Sequence, residues 1–274
     1  MRILITGGNG NISKMLKNKL FPKHNITSIS RSEFDLLNYK ELEKYLSDKE
    51  FDILIHTAIT GGRRTETETG DVVYKNLLMF ENLIKFENKF KLIINFDSGA
   101  IYDRSTDINN RKEDELNTIP CDYYGFSKYL IYNRSLQYDK IINFRIFNIF
   151  HLNEEPNRFI KSCFLAKKNN TPVTIFQNKY FDFVYENDFT KIVDYYIDNL
   201  INLNKLPKTI NISYQKKYKL SEIAELILGN KDLIQIDDDT LKYNYCGDGS
   251  LLNSLDIQLD GLESSIKTYE TNLL

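Results

Sequence analysis

The stretch Arg2-Ile-Leu-Ile-Thr-Gly-Gly-Asn-Gly-Asn-Ile-Ser13 decides the fold. Arg2–Thr6 reads as a short strand whose apolar run is buried on both faces. Glycines follow at once, and then a helical spacing over Ile12–Leu20 that stops before Pro22. Strand, glycine turn and helix in that order form the first unit of a doubly wound sheet. At such a turn, backbone N–H groups approach a dinucleotide pyrophosphate and the helix N-terminus favours its charge. The turn therefore assigns Gly7, Asn9, Gly10, Asn11 and Ile12 to cofactor binding. Ser13 stands where a third glycine is usual, and serine is small enough for close helix packing.

Working outward, the same alternation repeats. Ile26–Ser30 is a second strand. Asn38 caps a helix over Tyr39–Leu46. Asp52–Ala58 is a third strand, running into Gly61-Gly62, and Val72–Phe90 is a long helix. Leu92–Phe96 is a fourth strand, followed by a polar loop over Asp103–Thr118, a helix through Tyr124 and a fifth strand, Ile141–Phe147. Apolar runs alternating with helices predict an α/β fold, a doubly wound parallel (Rossmann) sheet covered on both faces. After His151 the rhythm loosens. Helices are expected over Asn157–Lys168, Phe189–Ile201, Leu220–Leu228, with Ser221 helping to start it, and Asp260–Leu274. Short strands are expected at Val173–Phe176, Phe183–Tyr185 and Thr209–Ser213. We read residues 1–150 as a dinucleotide-binding domain onto which 183–202 packs back. Residues 151–182 and 203–274 form a second, smaller α/β substrate lobe.

The totals narrow the function. With 274 residues, 42% hydrophobic and 27% charged, the chain can bury a proper core. A net charge of -2 without a dominant basic patch argues against nucleic acid or an anionic membrane as partner. No apolar run reaches the ~20 residues of a membrane span. Met1 leads straight into the first strand, so no secretory signal is expected. Cys121, Cys163 and Cys246 are odd in number and far apart, which fits idle thiols in a reducing, cytoplasmic compartment. His24, His56 and His151 do not stand at ligand spacing, and no metal site is expected.

Two further places carry chemistry. The second strand ends in Ile29-Ser-Arg-Ser32, where a carboxylate for a ribose 2′-hydroxyl would be usual. Arg31 suits a 2′-phosphate instead, which argues for NADPH. Glu33 is close and leaves NAD open. In Asp122-Tyr-Tyr-Gly-Phe-Ser-Lys128, Tyr124 and Lys128 stand four residues apart, hence on one helix face. A phenol normally loses its proton near pH ~10. An ammonium one turn away favours the phenolate and predicts proton exchange nearer neutrality.

Taken in order, these motifs resemble the extended short-chain dehydrogenase/reductases that act on nucleotide sugars: epimerases, dehydratases and 4-keto reductases. The resemblance rests on the opening glycine turn, Asp35-Leu36, His56-Thr-Ala58, Asn76, Ser98-Gly-Ala-Ile-Tyr102 and the Tyr124/Lys128 pair. Arg145-Ile-Phe-Asn148 and Phe181-Asp-Phe-Val-Tyr-Glu-Asn-Asp188 complete it. It implies that Tyr124 moves a proton to or from a ketone oxygen as hydride is transferred. Ser98 hydrogen-bonds the same oxygen, and Lys128 holds the nicotinamide ribose and tunes Tyr124. Thr57 and Ala58 line the cofactor, Asp35 and Leu36 the adenine, and Asn148 the sugar or its phosphates. A helical asparagine such as Asn76 is more often structural.

The departures choose among reactions. The family's dehydratases carry Asp-Glu where this chain has Gly99-Ala100. The epimerase-reductases that make GDP-fucose carry a cysteine at the place of Ala100. Neither scheme fits, which leaves carbonyl chemistry at one sugar carbon. Phe181 replaces an arginine that often grips the nucleotide diphosphate, and Arg158, Lys161 or Lys179 is a substitute. The expectation is NADPH-dependent reduction of a nucleotide-linked 4-keto-6-deoxy sugar by a homodimer. The alternatives are a nucleotide-sugar 4-epimerase with retained NAD and a non-catalytic dinucleotide sensor.

Overall fold

The structure is a computed structural model that describes residues 1–62, 67–238 and 243–273. The first hundred residues run β1 (Arg2–Thr6), α1 (Asn11–Leu20), β2 (Asn25–Ile29), α2 (Tyr39–Ser47), β3 (Ile53–His56), α3 (Asp71–Ile84) and β4 (Leu92–Ser98). There follow β5 (Ile108–Arg111), α4 (Tyr123–Ser135), β6 (Ile141–Ile146), β7 (Ile149–Phe150), α5 (Phe159–Asn169), β8 (Val173–Ile175) and β9 (Val184–Tyr185). The chain ends with α6 (Glu186–Asp198), β10 (Thr209–Ile212), α7 (Leu220–Leu228), β11 (Ile234–Ile236), β12 (Tyr245–Gly247), α8 (Ser250–Asn253) and α9 (Gly261–Leu273).

Six strands make the central sheet in the order β10-β6-β4-β3-β1-β2, all parallel. Residues alternate between its faces, as the strand period of two requires. Ile3, Ile5, Ile53 and Ile55 pack with Leu16 and Leu20 of α1 and Phe189 and Tyr196 of α6. Leu4 and Leu54 face the other way, onto Leu42 and Leu46 of α2, Phe80 and Leu83 of α3 and Ile131 of α4. Each such side chain contributes ~1.5–3 kcal/mol by leaving water. The doubly wound parallel sheet is therefore present. From β1 the chain moves outward to β2, then crosses to β3 on the other side of β1. That reversal opens a crevice at the carboxyl ends of β1 and β3, where such sheets bind ligands.

A separate apolar cluster joins Phe150, Ile160, Phe164, Ile223, Ile227 and Tyr269 across α5, α7 and α9. The boundary differs from the expected one. Thr209–Ile212, expected in the smaller lobe, is β10 and pairs with β6 at the sheet edge. Leu252 of α8 packs into the sheet's own core. A fully buried TINI run satisfies its backbone groups best beside another strand. The loop over 103–118 also hides a strand: β5 pairs with β12 across more than a hundred residues of chain. The long helix ends at Ile84, before the expected Phe90, because Phe86 and Phe90 turn into the core ahead of β4. Asn38 caps α2 as expected, accepting from the Lys40 and Glu41 N–H groups. Glu222, rather than Ser221, completes the start of α7 by accepting from the Lys219 N–H at 2.7 Å. No helix among the described residues is long and apolar enough to cross a membrane.

Candidate active site

The opening turn is a cradle shaped for close approach. Gly7 has φ +73°, and a Cβ there would lie 2.9 Å from the Ala58 backbone and the Thr57 hydroxyl. The Gly10 N–H donates to the Gly7 carbonyl at 2.8 Å. The α1 helix starts with no side-chain cap and no acidic residue in its first turn, which leaves its N–H donors and positive end for an anion. Beside it lies a cavity of about 450 Å³ lined by Gly7, Asn9, Gly10, Arg31, Asp35, Leu36, Thr57 and Ala58. These residues fit a dinucleotide. Asn11 and Ile12 open α1 at its edge without lining it, and Ile12 packs partly on the core. Phe34 and Met79 also line it. Neither carries a sequence signal beyond that of a core residue.

The adenine-side rim bears on cofactor choice. One oxygen of Glu33 accepts both the N–H and the hydroxyl of Ser30, each at 2.7 Å. These bonds hold the Glu33 carboxyl below its ordinary range. Glu33 is thus engaged with its own turn, while Arg31 lines the cavity.

A second group of residues gathers where β4 meets α4. Ser98 ends β4 and accepts from the Ala100 N–H at 3.2 Å. Asp122 caps α4 by accepting from the Gly125 N–H at 2.8 Å. This fixes Tyr124 in the first helical turn, with its phenol close to the Ser98 hydroxyl. Gly62, at φ +86°, backs the ring so closely that a Cβ would sit 3.1 Å from it. Glu68, which the sequence did not single out, clips these parts together. Its two oxygens accept from the Gly62 N–H at 2.7 Å and the Tyr124 N–H at 3.0 Å. Asn76 holds the same loop, exchanging bonds with both the N–H and C=O of Thr60 and reaching the Ser127 hydroxyl.

Lys128 is buried behind this group. Its ammonium donates to the Phe96 carbonyl at 2.5 Å and lies 5.8 Å from the centre of the Tyr124 ring. Burial pushes it down to about 8, against the pull of Asp97. Burial raises Tyr124 above its ordinary range; the Ser98 hydroxyl and Arg104 pull it back. A second cation stands at the same range from the phenol: Arg104, 5.6 Å from the ring centre. Arg104 is held in turn by Asp122 through Nε at 3.2 Å and Nη2 at 2.5 Å.

The predicted substrate residues Asn148 and Arg158 meet: the Arg158 guanidinium donates to the Asn148 side-chain oxygen at 2.7 Å. Phe181 instead packs between Phe183 and Tyr245, at ring separations of 5.0 and 5.2 Å. Among the proposed substitutes for the missing arginine, Lys161 is committed to the Leu152 and Glu154 carbonyls. Arg158 remains half-exposed.

Comparison with known proteins bears on this arrangement. No curated protein sequence matches the chain. A dTDP-4-dehydrorhamnose reductase from Clostridium acetobutylicum superposes with a TM-score of 0.80 at 18% identity, covering 100% of this chain and 99% of that one. A GDP-mannoheptose C4 reductase from Campylobacter jejuni, solved with NADP bound, gives 0.79 at 17% identity over 99% and 97%. A UDP-N-acetylglucosamine 4-epimerase from Bacillus cereus gives 0.75 at 22% over 100% and 99%. These likenesses establish the shared fold. The sequence match is with a family whose members are nicotinamide-dependent, and it spans residues 3–213: the chain belongs to the NAD dependent epimerase/dehydratase family.

Proposed function

We propose that the chain is an NADPH-dependent oxidoreductase that reduces the 4-keto group of a nucleotide-linked 4-keto-6-deoxy sugar. The observation that carries this reading is the gathering of the Tyr124 phenol and the Ser98 hydroxyl at the end of β4, with Lys128 buried behind them. Two hydroxyls on one spot bind one carbonyl oxygen. A bound nicotinamide supplies hydride to the carbonyl carbon. Tyr124 gives its proton to the oxygen on which charge builds, and Ser98 donates a hydrogen bond to that oxygen. Burial keeps the phenol protonated, the form that gives a proton to the ketone oxygen. Gly99 and Ala100 offer no acid or base for dehydration. Arg31 in the cavity and a self-engaged Glu33 support NADPH, and the C. jejuni reductase was solved with NADP bound.

In this reading the sheet-based part holds the cofactor and the cluster around α5, α7 and α9 holds the sugar nucleotide, with Asn148 and Arg158 at its edge. A cytoplasmic homodimer pairing through α3 and α4 belongs to the same proposal. Purified protein is expected to consume NADPH with a 4-keto-6-deoxy sugar nucleotide. Tyr124→Phe is expected to lower turnover by at least ~10²-fold while leaving NADPH binding intact. Undiminished turnover by that variant would falsify the assigned proton donor. Sugar interconversion without net NADPH loss would instead mark a 4-epimerase.

A further inference from the structure

Beneath the site, one carboxylate faces two buried cations. Asp97 precedes Ser98 on β4 and is 3% exposed. Its Oδ2 accepts from Nε of Arg145, on β6, at 2.8 Å. Arg145 is fully buried and also donates through Nη1 to the Tyr102 hydroxyl and the Glu113 carbonyl. The fork between the two is not closed. Asp97 Oδ1 and Arg145 Nη2 are both buried and, among the described residues, without a hydrogen-bond partner. At the same strand segment, the Lys128 ammonium sits on the carbonyl of Phe96, the residue before Asp97. The titratable or charged groups that bear on Lys128 are Tyr124 on its own helix, His56 on β3 and Asp97 on β4, with Arg145 on β6 behind Asp97.

We propose that Asp97 is a positioning residue of this site, one carboxylate that balances two buried cations, Arg145 through Oδ2 and Lys128 through the field of its unpaired Oδ1. A carboxylate spent wholly on Arg145 would close the fork, and a buried oxygen with no donor is costly unless a nearby positive charge stabilises it. His56 supplies no such charge, because burial holds its imidazole neutral, down to about 3. Asp97 is the group that opposes the loss of the Lys128 proton on burial. Its role is to keep the lysine cationic where the proposed reaction needs it, so the inference rests on Lys128 belonging to the site.

The test reads Lys128 directly and needs no substrate. Protein labelled with 13C at lysine Cε is titrated by NMR, with Lys128→Met identifying the resonance. The wild type is expected to titrate near 8. Asp97→Asn is expected to move that midpoint down by about one pH unit or more, the usual effect of losing a close opposite charge. Should that variant not fold, the double variant Asp97→Asn/Arg145→Met removes both members of the pair and is expected to shift the midpoint in the same direction. Asp97→Asn by itself also leaves Arg145 uncompensated, so the double variant decides: a carboxylate that serves only Arg145 would leave the Lys128 midpoint unmoved there, and that result overturns the inference. Failure to consume NADPH with any keto sugar would count against the proposed reaction alone, since the titration stands apart from turnover.

Discussion

Two buried polar clusters in this molecule meet the same problem in opposite ways. Beneath Ser98, Asp97 and Arg145 form a buried ion pair at 2.8 Å. Burial works against the arginine's charge, but Asp97 and Tyr102 outweigh it and raise Arg145 above its ordinary range. After β7, His151 and Glu154 are equally hidden, at 3% and 5% exposure, and have no comparable partner. His151 Nδ1 and Glu154 Oε1 lack hydrogen-bond partners among the described residues, and the closest cation, Arg158, lies 3.9 Å from the other glutamate oxygen. Burial therefore wins there, raising Glu154 to about 7 and lowering His151 to about 4. The difference teaches that desolvation is common to both places and geometry decides the outcome. A partner within hydrogen-bond distance preserves charge, and a partner an ångström further does not.

The largest test of that contrast is Arg145→Met, which strands Asp97 as a buried, unpaired charge. Chemical denaturation is expected to register a loss of about 3–5 kcal/mol at neutral pH. A loss under ~1 kcal/mol would mean that the pair is better solvated than its burial implies.

Glu154→Gln should act in the other sense, and only at higher pH. The folded carboxyl titrates near 7 against an ordinary 4.5, so the native state holds a proton that the unfolded chain releases. Between those values stability falls as pH rises, and above 7 the full penalty is present. The amide variant is expected to be more stable than wild type at pH 8, by at most ~3 kcal/mol from the linkage arithmetic, and no more stable at pH 4. Equal differences at both pH values would place the effect in packing instead.

For His151 the sign reverses. Its folded value of about 4 lies below the ordinary 6.5, so the unfolded chain binds the extra proton and stability drops as pH falls through that window. His151→Gln is expected to flatten thermal stability between pH 6.5 and 4 relative to wild type. Persistence of the original slope would assign it to other groups. The smallest effect provides a yardstick from the surface. Asn38→Ala removes the exposed cap of α2, and calorimetry is expected to show a cost of about 1 kcal/mol, independent of pH over this range.

What could be read early was local. The glycine turn, the Asn38 cap and the four-residue spacing of Tyr124 and Lys128 each express a rule that acts within a few residues. The parallel sheet follows from apolar runs spaced by helices. The rest depends on residues far apart in the chain. The pairing of β5 with β12 uses strands of three or four residues, too short for any period to show. Asp182 lies within a recognisable motif, yet its Ser213, Lys217 and Gly247 donors are brought to it only by folding. Glu68 has no signal at all, because an isolated glutamate in a polar loop looks like any solvated one.

Local sequence rules specify the doubly wound sheet, the crevice above its first strand and the glycine turn that lines it. Those features arise from backbone sterics and hydrophobic period, which neighbouring residues set among themselves. Which buried groups carry charge is set by packing across the whole fold. Protonation in a protein interior depends on how much water is lost and how near the compensating partner lies, and both are properties of the packed whole. Lys128 could be placed one turn from Tyr124 by counting, but its bond to Phe96 and the approach of Arg104 could not.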